Sequence, residues 1–133
     1  MNKREAKQDY KLNPPPMGIF QICNLRNEKV FVVSTMNLPG SLNRHEFQLK
    51  MNGHPCKSLQ KDWNELGREG FAFEILEEIS PRENLDYESE LNVLEDLWLE
   101  KLQPYDDKGY NERKKTREER LRMIAANRLE QSN

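Results

Sequence analysis

The sequence predicts an α+β domain in which helices pack on a small antiparallel sheet. Three observations predict it. Two short alternating runs, GIFQIC and KVFVVST, flank a polar NLRNE. A third β-rich run, FAFEILEEI, begins at Phe71. The segments between and after these runs carry apolar residues at helical spacing. With 133 residues, 33% of them charged and 35% hydrophobic, the chain has room for one modest core plus tails.

Residues 1–16 read as a flexible lead-in. The opening MNKREAKQDYK is charged and runs into Pro14, Pro15 and Pro16, a stiff spacer that does not resemble the apolar stretch of a secretory signal. The folded part is expected to start at Met17, with the hairpin, rich in β-branched and aromatic residues, turning at NLRNE. Asn37 can cap a helix with Pro39 in its first turn. Leu42, Phe47 and Leu49 give that helix an apolar side, and Asn52 and Gly53 end it. A second helix over roughly Lys57 to Leu66 places Leu59, Trp63 and Leu66 at i, i+4 and i+7 and stops at Gly67. In the third strand Phe71, Phe73 and Ile75 alternate onto one face, as a sheet covered by helices requires.

Ser80-Pro81-Arg82-Glu83 has the form of a capping box. The strongest helix follows in ELNVLEDLWLEKL, with Leu91, Leu94, Trp98 and Leu102 as its buried stripe and Pro104 as its stop. Trp63 and Trp98 both read as core. Residues 112–133 favour helix but have few apolar residues, so a solvated basic helical tail is expected beyond a domain spanning 17–111.

The net charge of −2 conceals an asymmetry, since residues 112–133 carry seven Lys/Arg against four Glu. Acid concentrates between Glu74 and Asp107. Arg44, His45, Lys50, His54, Lys57 and Lys61 make the middle of the chain locally basic, and a nucleic-acid contact belongs there. No run approaches the ~20 apolar residues of a membrane span, so a cytoplasmic protein is expected. Cys23 and Cys56, the two cysteines, suggest no disulfide framework. His45, His54 and Cys56 match no zinc spacing.

The order hairpin, helix, helix, strand, helix, with the segments GIF, VFVV, NRH, LQKDWNELG, FEILEEI and GYN, resembles the GIY-YIG nuclease superfamily, most closely its homing-endonuclease-like branch. The resemblance runs from about Met17 to Asn111. It implies a three-stranded antiparallel sheet flanked by helices, and metal-dependent hydrolysis of a DNA phosphodiester with Mg²⁺ or Mn²⁺. The family's two motif tyrosines fall on Phe20 and Phe31, and the glycine closing the second motif falls on Val33. Its catalytic arginine, four residues before a histidine, falls on Ser41 if His45 is that histidine, with Arg44 a partial substitute at best. His54 matches a second histidine of homing-type members, Glu95 the metal-binding glutamate and Asn111 the terminal asparagine.

Without that resemblance, Phe20 and Phe31 read as sheet packing, Glu95 as a solvated helix residue, Arg44 and His45 as surface residues, and Asn111 as a cap for the last helix. With it, Phe20, Phe31 and Glu95 are expected to line one concave patch. A positioned proton acceptor or a donor to the developing oxyanion is each worth about 10² to 10⁴ in rate, and phenylalanine supplies neither. Two functions follow. One is a DNA-acting protein of weak or altered cleavage, and the other an inactive copy used to bind nucleic acid or a protein partner. The 133 residues show no zinc-finger or helix-turn-helix pattern, so sequence specificity from such a module is not expected within them.

Overall fold

The structure, a computed structural model, describes residues 14–80, 86–113 and 117–131. Strands β1 (Met17–Asn24) and β2 (Val30–Thr35) form the hairpin. Helices α1 (Leu38–Lys50) and α2 (Lys57–Leu66) follow, then a 3₁₀ turn at Arg68–Gly70, strand β3 (Phe71–Ile79), and helices α3 (Tyr87–Leu102) and α4 (Arg117–Gln131). The three strands are antiparallel in the order β2-β1-β3, so β1 is central.

Because β1 is paired on both edges, its side chains alternate into two covered faces. Phe20 and Ile22 point toward α1 and α2, where they pack with Leu38, Leu49, Leu59 and Trp63. Ile19 points the other way, against Val32 and Leu99, and Met17 packs against Ile79 and Leu91. The result is a helix-sheet-helix sandwich. At Gly18 a Cβ would lie 1.9 Å from the Glu77 carbonyl oxygen, so this close approach of β1 to β3 admits only glycine.

A bulge between Ile19 and Phe20 shifts the β1–β3 register, pairing Phe20 with Ile75 but Ile19 with Glu77. One extra residue on β3 flips its alternation. Phe71 and Phe73 therefore pack on the α1/α2 face, whereas Ile79 joins the α3 face. Ile75, expected to continue the Phe71–Phe73 row, is 52% exposed at the point of the flip.

The helices also depart from expectation in detail. The buried positions of α1 are Leu38, Ser41, His45 and Leu49; Leu42 is partly buried, while Phe47 is 63% exposed. The apolar pattern misled because two of the four inward positions are polar. Asp86 caps α3, its side chain accepting from the Ser89 backbone N–H at 3.2 Å; the expected capping box lies, beyond Ser80, outside the described residues. Leu99, absent from the expected stripe, is buried in α3. Trp98 is only half-buried, with Nε1 3.4 Å from a Glu77 carboxylate oxygen and Lys101 over its ring.

Among the described residues no helix is long and apolar enough to cross a membrane.

Candidate functional site

On the α1/α2 face the hairpin contributes Phe20 and Phe31. Phe31 lies opposite Ile22, and both belong to the row that faces these helices. Helix α1 contributes Ser41 and His45 one turn apart, and the loop between α1 and α2 returns His54 to the same place. The four rings pack together. Centroid separations are 5.6 Å for Phe20–His45, 5.6 Å for Phe31–His54, 6.0 Å for Phe31–His45 and 5.0 Å for His45–His54.

The hydrogen bonds fix the protonation of the pair. The Cys56 backbone N–H donates to His54 Nδ1 at 3.0 Å, so the proton of neutral His54 sits on Nε2 and donates to His45 Nδ1 at 2.8 Å. Neutral His45 in turn carries its proton on Nε2, which has no partner among the described residues. Burial, aided by His54 and by the charge of Arg44, pushes the His45 pKa down to about 4, and burial also lowers that of His54. Both imidazoles are therefore neutral at pH 7, and His45 presents a donor and no acceptor. It can donate to a phosphate oxygen; it cannot take a proton from water without a tautomer exchange through the pair.

Gln60 holds this arrangement. Its Oε1 accepts from the His54 backbone N–H at 3.0 Å, and its Nε2 donates to the Leu49 carbonyl at 2.9 Å, tying the histidine loop to the end of α1. Sequence reasoning missed Gln60, since a glutamine inside an amphipathic helix carries no signal until its partners are known. It also took only the asparagine from GYN. Tyr110 is buried, donating to Asp62 at 2.6 Å and accepting from Asn24 at 3.0 Å, which joins α2, the end of β1 and the final loop. Burial and the Asp62 carboxylate raise its phenolic pKa far above the usual value.

The remaining expected residues scatter. The Ser41 hydroxyl is buried with no hydrogen-bond partner among the described residues, and no guanidinium stands there. Arg44 is exposed on α1. Asn111 clamps the outer edge of β2, accepting from the Val32 N–H at 2.8 Å and donating to the Val32 carbonyl at 2.9 Å. It thereby satisfies backbone groups of an edge strand. It does not cap α4.

Glu95 lies on α3, and its Oε2 accepts from Ser34 Oγ at 2.5 Å. Ser34 is opposite Ile19, whose side chain packs against α3. The Glu95 carboxylate therefore meets the sheet on the face opposite Phe20 and Phe31, not in one patch with them. No group of three or more His, Cys, Asp or Glu side chains among the described residues is arranged to hold a metal ion. The geometry at this point sets the Glu95 carboxylate beside the Ser34 hydroxyl among the described residues. That is compatible with a hydrated divalent cation whose other ligands are waters and substrate oxygens.

Beside Phe31 a hollow of about 530 Å³ opens between Tyr110 and the start of α2, lined also by Pro55, Cys56, Lys57, Ser58 and the acidic Glu112. No side chain caps that helix end, so its first backbone N–H groups point outward beside a lysine.

Residues 16–111 match the profile of the GIY-YIG catalytic domain, and the chain belongs to that family. Intron-associated endonuclease 1 of Enterobacteria phage T4 is 35% identical over 95 residues, which are 71% of this chain and 36% of that protein. The chain thus spans about a third of the length of this relative. Two solved structures superpose on it. A mutant catalytic domain of intron endonuclease I-TevI gives a TM-score of 0.62 at 30% identity, covering 76% of this chain and 97% of the other. The catalytic domain of homing endonuclease I-TevI gives 0.58 at 33% identity, covering 74% and 99%. The fold is that of these domains, and the chain is a GIY-YIG nuclease-like homologue of homing endonucleases.

Proposed function

We propose that the chain acts on DNA as a GIY-YIG-type protein whose phosphodiester cleavage is weak. The observation that carries this reading is the closed cluster of Phe20, Phe31, His45 and His54, in which the rings at the two motif positions pack around neutral imidazoles. Among the described residues His45 Nε2–H has no partner in the cluster, and it is a donor suited to a phosphate oxygen. The exposed Arg44 on α1 and Lys57 and Lys61 on α2, the two helices that carry the cluster's histidines and their loop, with the uncapped start of α2, add positive charge for phosphate contacts. Glu95 is the carboxylate that would hold Mg²⁺ or Mn²⁺, which when bound neutralises charge building on the phosphate. Its position across the sheet from the histidines, and the absence of a guanidinium at Ser41, both support slow cleavage.

The test is plasmid nicking in Mg²⁺ or Mn²⁺ together with binding to duplex DNA over a salt series. Slow nicking that disappears in Glu95→Ala, and affinity that falls steeply with salt, are expected. Fast Glu95-dependent cutting would show that Arg44 or another group replaces what is missing. No binding even at low salt would remove DNA as the partner.

A second reading, a catalytically inactive module that binds nucleic acid or protein, is favoured by Ser41. A buried hydroxyl with no hydrogen-bond partner among the described residues stands where the resemblance places the family's phosphate-bracing arginine. Salt-dependent binding with no Glu95-dependent nicking would select it.

A further inference from the structure

Two neutral imidazoles joined Nε2 to Nδ1 have two arrangements. In one, His54 Nε2–H donates and His45 carries its own proton on Nε2; in the other, His45 Nδ1–H donates and its Nε2 is bare. The first leaves a donor at His45 Nε2, the second an acceptor. The Cys56 backbone N–H, 3.0 Å from His54 Nδ1, selects the first, because in the second that ring nitrogen carries a proton and two donors face each other. The selection therefore belongs to the turn His54-Pro55-Cys56, and Gln60 grips both ends of it. Gln60 Oε1 accepts from the His54 backbone N–H at 3.0 Å, and the Gln60 backbone N–H donates to the Cys56 carbonyl at 3.0 Å. Pro55 has no N–H, so these bonds and the one to the ring use every backbone donor of the turn.

The Gln60 amide is itself held one way round, since the His54 N–H demands an oxygen and the Leu49 carbonyl a donor. Its Nε2 donates to that carbonyl at 2.9 Å and to Asn64 Oδ1 at 3.0 Å, and Asn64 Nδ2 donates on to Asn52 Oδ1 at 2.9 Å. Gln60 is 5% and His54 1% exposed, so bulk water does not replace a bond lost between them. We propose that Gln60 is the positioning residue that selects the donor form of His45: it holds the turn, the turn fixes the His54 tautomer, and that tautomer leaves the free proton on His45 Nε2. Removing the grip frees the pair to reverse, which exchanges a donor for an acceptor at the same atom. What that donor faces, a phosphate oxygen, rests on the DNA-acting reading; the selection itself belongs to the free chain.

The test is nitrogen NMR of the isotope-labelled full chain at about pH 8, where both imidazoles are neutral and the ring shifts separate protonated from bare nitrogens. In the unchanged chain both histidines should show a protonated Nε2 and a bare Nδ1. Gln60→Met, close to glutamine in volume, should lose that single form, with a protonated Nδ1 appearing on both rings. Gln60→Glu keeps an oxygen for the His54 N–H and gives up the donor to Leu49, so it should keep the tautomers while lowering stability to urea. A glutamine with a merely structural role would lower stability in both variants and leave the nitrogens of both unchanged. That result would overturn the proposal, as would a bare Nε2 on His45 in the unchanged chain. Native-state hydrogen exchange of the unchanged chain needs no variant: the His54 and Cys56 amide hydrogens should be protected to within about twofold, since one grip releases both. A Cys56 amide exchanging about tenfold faster than that of His54 would overturn the proposal as well. With duplex DNA at low salt, Gln60→Met should bind about tenfold more weakly, the loss of one hydrogen bond to a charged group, and undiminished affinity would overturn the donor's role. No binding by the unchanged chain would remove the DNA reading and leave the nitrogen result standing.

Discussion

The two faces of the sheet hold different members of the candidate residue set. The α1/α2 face retains both histidines and two aromatic rings, but as a packed, neutral cluster in which Phe20 is fully buried. The α3 face retains the glutamate, half-buried and bonded to a serine at the edge strand. Packing fills the first face with rings, while the second holds a half-buried carboxylate bonded to Ser34. The contrast teaches that one sheet can bury aromatic rings in its core on one side, as Phe20 is, while it holds a carboxylate at its edge strand on the other, because each face packs against different helices.

The contrast is broken most severely by rebuilding the first face. Phe20→Tyr, Phe31→Tyr and Ser41→Arg combined should raise nicking by about 10² to 10⁴ if both faces serve one reaction, with Glu95→Ala removing the gain. Single changes should do little, since proton transfer and phosphate bracing act in one transition state. A folded triple variant without activity would mean that the faces no longer cooperate.

His54→Ala should be the costliest single change to stability, about 2 to 4 kcal/mol by urea denaturation. It opens a cavity and strands both His45 Nδ1 and the Cys56 N–H. Glu95→Gln, at a half-buried position, should cost far less, which sharpens the distinction between the two faces.

The histidine pair also predicts a pH dependence. The folded-state pKa values lie below the unfolded value near 6.5, so the unfolded chain binds more protons as pH falls. Stability should be fully present above about pH 6.5 and decline toward about pH 4, by roughly 1 to 2 kcal/mol for His45 after solvent screening. His45→Gln should flatten that slope in thermal melts, and an unchanged slope would place its origin in other groups.

The smallest effects concern the edges. Asn111→Ala should cost about 1 to 2 kcal/mol by freeing the Val32 backbone groups, and Ser34→Ala about 1 kcal/mol or less. A larger loss in Ser34→Ala than in Asn111→Ala would show the Glu95 contact to be structural.

By itself the sequence determined the hairpin, the third strand, the three helices of the domain and the family. Alternation, caps and stop residues are local, and the motifs recur in order along one continuous stretch. Asn37 before Pro39 and Gly67 after Leu66 marked helix ends because capping depends on near neighbours alone. Only the tertiary structure decided which residues meet. The inward side of α1 was illegible because Ser41 and His45 occupy apolar positions, and their neighbours come from β1, β2 and the loop at His54. The flip of β3 was illegible because a bulge depends on the register against β1, not on the composition of either strand. Glu95 fell across the sheet from Phe20 for the same kind of reason: helical spacing fixes the side of α3 it occupies, but which face of the sheet α3 covers is set by burial of Met17, Ile19 and Ile79 beneath it.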